Sequence, residues 1–121
     1  MILACIQTVL DAIVPVKNEI GVTLFAAHDV WIDPQQWENV LVGFKLVLPP
    51  GFLGRVVPRP DLMYNHGIIC SSPTITQQQQ DGVFVTMSNS GQNTFCLHRG
   101  DPIADLIFHS ITLPEIVAVA V

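Results

Sequence analysis

Residues 48–59 read Leu48-Pro49-Pro50-Gly51-Phe52-Leu53-Gly54-Arg55-Val56-Val57-Pro58-Arg59. Two prolines and a glycine stand in the middle of this stretch, between a segment of alternating polarity and a second extended segment. Proline presets a turn and cannot donate to a sheet ladder, and glycine accepts positive φ angles at little cost. The stretch therefore predicts a strand, a tight turn and a second strand.

The flanking sequence continues the same pattern of short strands and turns. Residues 39–48 alternate, with Val40, Val42, Phe44, Leu46 and Leu48 on one face, which predicts a single strand. Residues 82–88 alternate again, and residues 94–98 and 103–113 predict two strands around the turn at 99–101. Only 103–109 could form about two helical turns, and its β-branched residues disfavour that. We expect an all-β fold with little or no helix.

Composition limits the kind of protein. The 121 residues are 50% hydrophobic and 12% charged, which predicts a single domain whose apolar surface is covered by further copies of the chain. The net charge of −5, with five scattered basic residues, argues against a nucleic-acid groove. No apolar run reaches the roughly 20 residues of a transmembrane helix, and no signal peptide is expected.

The cysteines predict neither a disulfide framework nor a metal site. Cys5, Cys70 and Cys96 are far apart and odd in number, and they form no zinc spacing with the histidines. Unpaired thiols are typical of a reducing compartment. We therefore expect no metal and a location in the cytoplasm, with the nucleus as a second option.

The order of the short motifs resembles that of the trimeric dUTPase family over most of the chain. Residues 48–59 are close to L-P-P-G-Y-x-G-R-V-x-P-R, and residues 99–107 resemble R-G-D-R-I-A-Q-L-I. Residues 21–27 stand where the family has A-G-x-D-L, residues 66–68 resemble the end of K-H-G-I, and residues 112–115 resemble T-P-E. The resemblance implies a dUTPase-like β-barrel or jelly roll at residues 1–115, followed by a short apolar tail at 116–121, and it implies a homotrimer.

The same resemblance implies that several site residues are replaced. Thr76 stands where the family has its general-base carboxylate, and Gln79 stands where it has the tyrosine that stacks on deoxyribose. Thr23 replaces the aspartate of the magnesium and phosphate region. Pro60 and Asp61 replace the phosphate-binding Ser-Gly, and Asp105 replaces a glutamine. Among the phosphate-side residues, Arg59 clearly remains as a remnant of nucleotide binding.

The tail and the replaced residues together lead to a first functional hypothesis. The last eight residues contain no glycine, so the family's glycine-rich arm is not expected. We expect a catalytically inactive homologue without cofactor, similar to the first-reading-frame protein of adenovirus early region 4. That similarity implies a viral adaptor in the host cell cytoplasm, also in the nucleus, that promotes phosphatidylinositol 3-kinase signalling. Its tail Val119-Ala120-Val121 would bind PDZ domains of host proteins as an added strand.

Other interpretations of the same residues remain open. The tail could instead pack on a neighbouring subunit. The chain could be a divergent dUTP pyrophosphatase that uses Mg²⁺ and produces dUMP and diphosphate, with Asp61, Asp81, Asp101 and Asp105 as a new metal site, although surface aspartates are the simpler account. A third possibility is a nucleotide binder without chemistry, with a base slot formed by the 73–80 hairpin.

Overall fold

The computed structural model describes residues 4–7, 12–71, 74–76 and 83–120, with the backbone alone for residues 4–7 and Phe44. These parts contain one helix, α1 (Pro60–His66), and eleven strands. In chain order the strands are β1 (Ala4–Gln7), β2 (Val16–Lys17), β3 (Val22–Phe25), β4 (Val30–Ile32), β5 (Trp37–Leu41), β6 (Phe44–Val47), β7 (Phe52–Pro58), β8 (Ile68–Ser71), β9 (Phe84–Asn89), β10 (Phe95–Leu97) and β11 (Pro102–Ser110).

The strands form antiparallel sheets around a common core. One sheet has the order β2-β3-β11-β7 and another the order β5-β9-β8, while β1 pairs with β6 and β10 with β4. The core takes Leu24 and Leu106 from the first sheet and Val40, Val85 and Met87 from the second, all fully buried. The predicted all-β fold is therefore confirmed, with one short helix. No helix in the described part of the chain is long and apolar enough to cross a membrane.

The alternation predicted for residues 82–88 is confirmed where the structure describes it. Val83, Val85 and Met87 are buried, and Phe84 and Thr86 are half-buried on the opposite face. Because side chains of a strand point alternately to the two faces of its sheet, this pattern places β9 with one face on the core.

The single strand predicted for residues 39–48 is wrong, because the chain breaks it into β5 and β6. The break lies at Val42 and Gly43, where Gly43 has a φ of +84°, a left-handed conformation that glycine tolerates best. Val42 and Leu46 on either side are both buried. The face was predicted correctly, and its regular alternation hid the break.

Residues 103–109 form a strand rather than the helix considered as an alternative. Strand β11 pairs with β7 from Ala104 to Ser110, opposite Pro58 to Phe52. The predicted strand to residue 113 ends early, at Ser110, and the next backbone bond runs from the Ile111 N–H to the Gly51 carbonyl at 2.8 Å. Residues 111–120 form no helix or strand and are exposed.

Helix α1 has clear signals at both ends. Pro60 opens it and Asp61 lies in its first turn, which suits the missing proline N–H and the positive end of the helix dipole. Gly67 closes it with a φ of +69°, and its N–H donates to the Met63 carbonyl at 3.0 Å. Pro60 and Asp61, which the family resemblance presented only as lost phosphate ligands, thus also start a helix.

The two cysteines whose side chains are described differ in environment. Cys96 is exposed and Cys70 is half-buried, and both are free thiols. Burial raises the pKa of Cys70 to about 11, because the apolar surroundings disfavour the thiolate. Cys70 is therefore an unreactive, structural thiol at neutral pH.

Candidate functional site

The pairing of β3 with β11 brings two of the sequence-predicted site residues together. Thr23 and Asp105 stand directly opposite each other in the ladder, and Val57, on the other side of Asp105, lies two residues before Arg59. The strands approach closely at Gly21, where an added Cβ would overlap the Leu106 carbonyl oxygen. A glycine is therefore required where the chain enters this pair of strands.

Three side chains donate hydrogen bonds to a single oxygen of Asp105. Its Oδ1 accepts from Asn18 Nδ2 at 3.0 Å, from Thr23 Oγ1 at 3.1 Å and from Arg59 Nη1 at 3.4 Å. Asn18 Nδ2 also donates to Thr23 Oγ1 at 2.9 Å. We call these four residues the Asp105 cluster; it joins the turn before β3, the strands β3 and β11, and the end of β7.

Asn18 is the member of the cluster that the sequence reasoning missed. Its Oδ1 accepts hydrogen bonds from the N–H groups of Ile20 and Gly21, both at 2.9 Å. The side-chain oxygen therefore stabilises the turn in which Asn18 lies, while the side-chain nitrogen donates to Thr23 and Asp105. An asparagine three residues before a glycine is a turn signal. That signal predicts the turn, but the bond to Asp105 spans 87 residues and cannot be read from local sequence.

The electrostatics of the cluster follow from partial burial. The Asp105 side chain is 14% exposed and the Arg59 side chain 32% exposed, so the ion pair lies at the surface edge of the fold. Their charges cancel, and solvent screens the pair. Within the described residues, Asp105 Oδ2 has no hydrogen-bond partner, and Asp105 is the one partner of the Arg59 guanidinium. Both side chains can therefore still form hydrogen bonds with a ligand.

Asp61 belongs to a neighbouring concavity. A cleft of about 450 Å³ lies between α1 and β10, with Asp61, Leu62 and His66 on the helix side and Cys96 on the strand side. The His66 and Phe95 rings, whose centroids are 5.0 Å apart, line both this cleft and a second cleft of about 280 Å³. Asp61 therefore faces a cleft lined by both polar and apolar groups, and no hydrogen bond or ion pair among the described residues joins it to Asp105.

Thr76 is held at a fixed place outside the Asp105 cluster. The preceding residue, Ile75, is buried, and its N–H and carbonyl both bond to Gly54 at 2.8 Å. Thr76 itself is exposed. Gln79, Asp81 and the rest of residues 77–82 lie outside the described residues, as do Pro73 and Val121, so the predicted hairpin slot and last tail residue have no structural account.

The aspartates proposed as an alternative metal site have separate roles. Asp101 Oδ2 accepts the His98 N–H at 2.9 Å and so closes the turn before β11, Asp61 faces the cleft, and Asp105 centres its own cluster. In the described part of the chain, no group of three or more His, Cys, Asp or Glu side chains could hold a metal ion. An ion here would need oxygen ligands from a substrate.

The tail residues that the structure describes are exposed to solvent. Val119 and Ala120 are exposed, as are Leu113 and Ile116, whose exposed fractions are 84% and 89%. These apolar side chains extend beyond the last backbone contact of β11.

Comparisons with known proteins place the chain among dUTPases. The family model for dUTPase matches residues 15–120. The deoxyuridine 5'-triphosphate nucleotidohydrolase of Fowlpox virus (strain NVSL) is 34% identical over 82% of this chain and 68% of that protein. The mouse enzyme of the same name is 33% identical over 79% of this chain and 59% of that protein, and that of Clostridium kluyveri 34% identical over 84% and 74%.

Solved structures show the same fold at lower identity. A dUTPase from phage phi11 of S. aureus superimposes with a TM-score of 0.92 and 17% identity, covering 98% of this chain and 97% of that one. The dUTPase of Staphylococcus bacteriophage 80alpha gives a TM-score of 0.91 at 16% identity, with 98% and 96% coverage. Both have the jelly-roll-like β fold expected from the motif order.

The first functional hypothesis is wrong in the light of these relatives. A catalytically inactive adaptor was expected from the residues at 23, 60, 61, 76, 79 and 105, but the matched relatives are named as nucleotide hydrolases over most of this chain. The narrower similarity to the adenovirus early-region-4 protein finds no support in them. The PDZ-domain and phosphatidylinositol 3-kinase partners, which rested on that similarity, lose their basis.

Proposed function

The chain belongs to the dUTPase family, and from that premise we propose that it hydrolyses dUTP to dUMP and diphosphate. The observation that carries the proposal is the family match from residue 15 to 120 together with hydrolase relatives at 33–34% identity. The chain spans 59% of the mouse relative and 68% of the fowlpox relative.

Arg59 is the group that we assign to the triphosphate. A guanidinium presents five N–H donors in a planar fork that matches phosphate oxygens in a two-point contact. Asp105 engages Nη1 of this fork at 3.4 Å, which leaves the other donors for phosphate. Arg59 is the single residue between β7 and α1, so regular structure fixes its backbone on both sides.

The residues present fit a magnesium ion that arrives with the nucleotide. Mg²⁺ in proteins commonly binds one or two carboxylates together with substrate phosphates and waters, and Asp105 Oδ2 is an uncommitted carboxylate oxygen next to Arg59. Bound to the triphosphate, Mg²⁺ would neutralise phosphate charge. The phi11 phage dUTPase coordinates a structural Mg(II) ion, and a variant of the 80alpha phage dUTPase was solved with the analogue dUpNHpp.

We expect proton removal from the attacking water to be the slow step of the proposed reaction. The family resemblance places Thr76 where a general-base carboxylate would stand, and a threonine hydroxyl does not accept a proton near neutral pH. We propose that the water loses its proton to solvent. We propose a slow dUTPase, in which phosphate binding and orientation provide the catalysis.

Diphosphate release from dUTP tests the proposed activity. We expect release above a protein-free control in the presence of Mg²⁺, lost with a chelator and lost in Arg59→Ala. The matched control is Arg55→Ala, because Arg55 is an exposed arginine of β7, four residues before Arg59, and its Nε bonds to His109 at 3.4 Å. The wild type and both variants are purified in parallel, so that a contaminating host enzyme would give the same release in all three. Equal release from wild type, Arg59→Ala and the protein-free control would refute the proposed function.

We propose in addition that the chain assembles as a trimer in the cytoplasm or nucleus. Apolar side chains are exposed on the tail, including Leu113, Ile116 and Val119, and a neighbouring copy would remove them from water. The free thiols of Cys70 and Cys96 suit a reducing compartment.

Light scattering after size exclusion tests the assembly. We expect about three times the 13.3 kDa chain mass for the wild type, and a smaller species when Leu113 and Ile116 are both changed to serine. A monomeric wild type with an unchanged double variant would contradict the assembly proposal and would leave the hydrolysis proposal standing.

A further inference from the structure

Arg59 needs support to act as a rigid phosphate fork. An arginine side chain has several rotatable bonds, and each long side chain that is ordered only on binding weakens that binding. The Arg59 side chain is 32% exposed, and its polar contact in the described structure is with Asp105. Its orientation before substrate arrives therefore depends on how well Asp105 itself is held.

Asp105 is held from two directions. Thr23 Oγ1 donates to it from the adjacent strand at 3.1 Å, and Asn18 Nδ2 donates from the turn before that strand at 3.0 Å. Asn18 is fixed in turn by the backbone N–H groups of Ile20 and Gly21. The carboxylate thus sits at the centre of a network whose other members belong to strands and a closed turn.

We propose that Asp105 is a positioning residue, which orients the Arg59 guanidinium for the triphosphate through a network anchored by Asn18 and Thr23. This inference rests on the proposed function for its ligand and goes beyond it in naming a second residue and its mode of action. The alternative account is that Asp105 only repels the triphosphate, because it places a negative charge where the family has a neutral glutamine. The two accounts predict opposite effects of removing that charge.

The affinity for dUpNHpp, measured by calorimetry, separates the two accounts by sign. A purely repulsive carboxylate predicts that Asp105→Asn binds the polyanion more tightly. A positioning carboxylate predicts binding that is weaker by about three- to tenfold, the range expected from the cost of ordering one long side chain. We expect Asp105→Asn to weaken dUpNHpp binding both with Mg²⁺ and with a chelator. If Asp105 acted only as a ligand of the metal, the substitution would have no effect in the presence of the chelator. Glu38→Gln removes an exposed negative charge from strand β5 and controls for net charge.

A double-mutant cycle tests whether Asp105 acts through Arg59. If it does, Asp105→Asn changes the affinity of the wild type but has no further effect in the Arg59→Ala background. Additive effects of the two substitutions would overturn the proposal. So would tighter or unchanged binding by Asp105→Asn, provided that thermal unfolding shows a folded variant.

Side-chain NMR of the arginine guanidinium decides the question without a nucleotide. We expect hindered rotation of the Arg59 guanidinium in the wild type and free rotation in Asp105→Asn and Asn18→Ala, with Arg59→Lys identifying the signal. A freely rotating Arg59 in the wild type would overturn the positioning role even if the enzyme hydrolyses dUTP. Hindered rotation in a wild type that neither binds dUpNHpp nor hydrolyses dUTP would refute the proposed function and leave the positioning of Arg59 intact.

Discussion

Replacement of Thr76 by aspartate is expected to raise the rate of dUTP hydrolysis by about 10²- to 10⁴-fold, the usual contribution of a well-placed general base. The side chain is exposed, so the substitution buries no charge. The backbone is fixed by the two hydrogen bonds between Ile75 and Gly54, each 2.8 Å. An introduced carboxylate would therefore stand on a rigid support and accept the proton that the hydroxyl cannot.

Thr76→Asn is the matched control for this gain of rate. The amide has almost the same shape and hydrogen-bonding reach as the carboxylate but cannot take a proton. We expect steady-state diphosphate release to rise only in Thr76→Asp, and its rate to increase with pH as the carboxylate ionises, near its ordinary pKa of about 4. Equal rates in the two variants would show that proton removal at this position does not limit hydrolysis.

Replacement of Asn89 by aspartate is expected to lower the free energy of unfolding by about 2–6 kcal/mol, because two buried donors are lost and each costs about 1–3 kcal/mol. The Asn89 side chain is 2% exposed. Its Nδ2 donates to the carbonyls of Ile32 and Asn93, both at 2.8 Å, and its Oδ1 accepts the Gly91 N–H at 2.9 Å. A carboxylate would place negative oxygens against both carbonyls.

Urea unfolding at two pH values measures this effect. The introduced carboxylate would be buried against carbonyl oxygens, so its folded pKa lies above its unfolded pKa. The Asn89→Asp variant is therefore closest in stability to the wild type at a pH below the unfolded pKa. Its deficit in free energy of unfolding grows as the pH rises through the folded pKa. Asn93→Asp makes the same chemical change at an exposed side chain and should shift stability by no more than about 0.5 kcal/mol. If the two variants unfold at the same urea concentration at pH 7, the Asn89 bonds contribute little.

The sequence was informative where one local signal determines the structure. Alternation identified the buried face of β9, and it identified the buried side chains Val42 and Leu46 on both sides of a break. It could not reveal the break itself, because residues before and after Gly43 keep the same alternation. Helix α1 was missed for a related reason, since seven residues are too few to show a helical period, although Pro60 and Gly67 mark its two ends.

The candidate site was predictable only in part. The motif resemblance named Thr23, Arg59 and Asp105, and the strand pairing brings these three together. Nothing local indicated that Asn18 would join them, because its contact with Asp105 depends on strands that meet through the fold. The prediction of an inactive protein failed at a different step. It inferred the loss of an activity from a set of replaced site residues and a missing glycine-rich arm, whereas relatives that are 33–34% identical are named as nucleotide hydrolases.

The pairing of β3 with β11 also has a consequence for how the protein folds. Thr23 and Asp105 are 82 residues apart in the chain, so their strands can join only after synthesis has passed β11 (Pro102–Ser110). Ladders between such distant segments form slowly, in milliseconds to seconds for typical all-β domains of about this size. A nascent chain without β11 cannot assemble the Asp105 cluster. A nucleotide that binds at this cluster, as we propose for dUTP, would bind only the completed fold and would raise its free energy of unfolding.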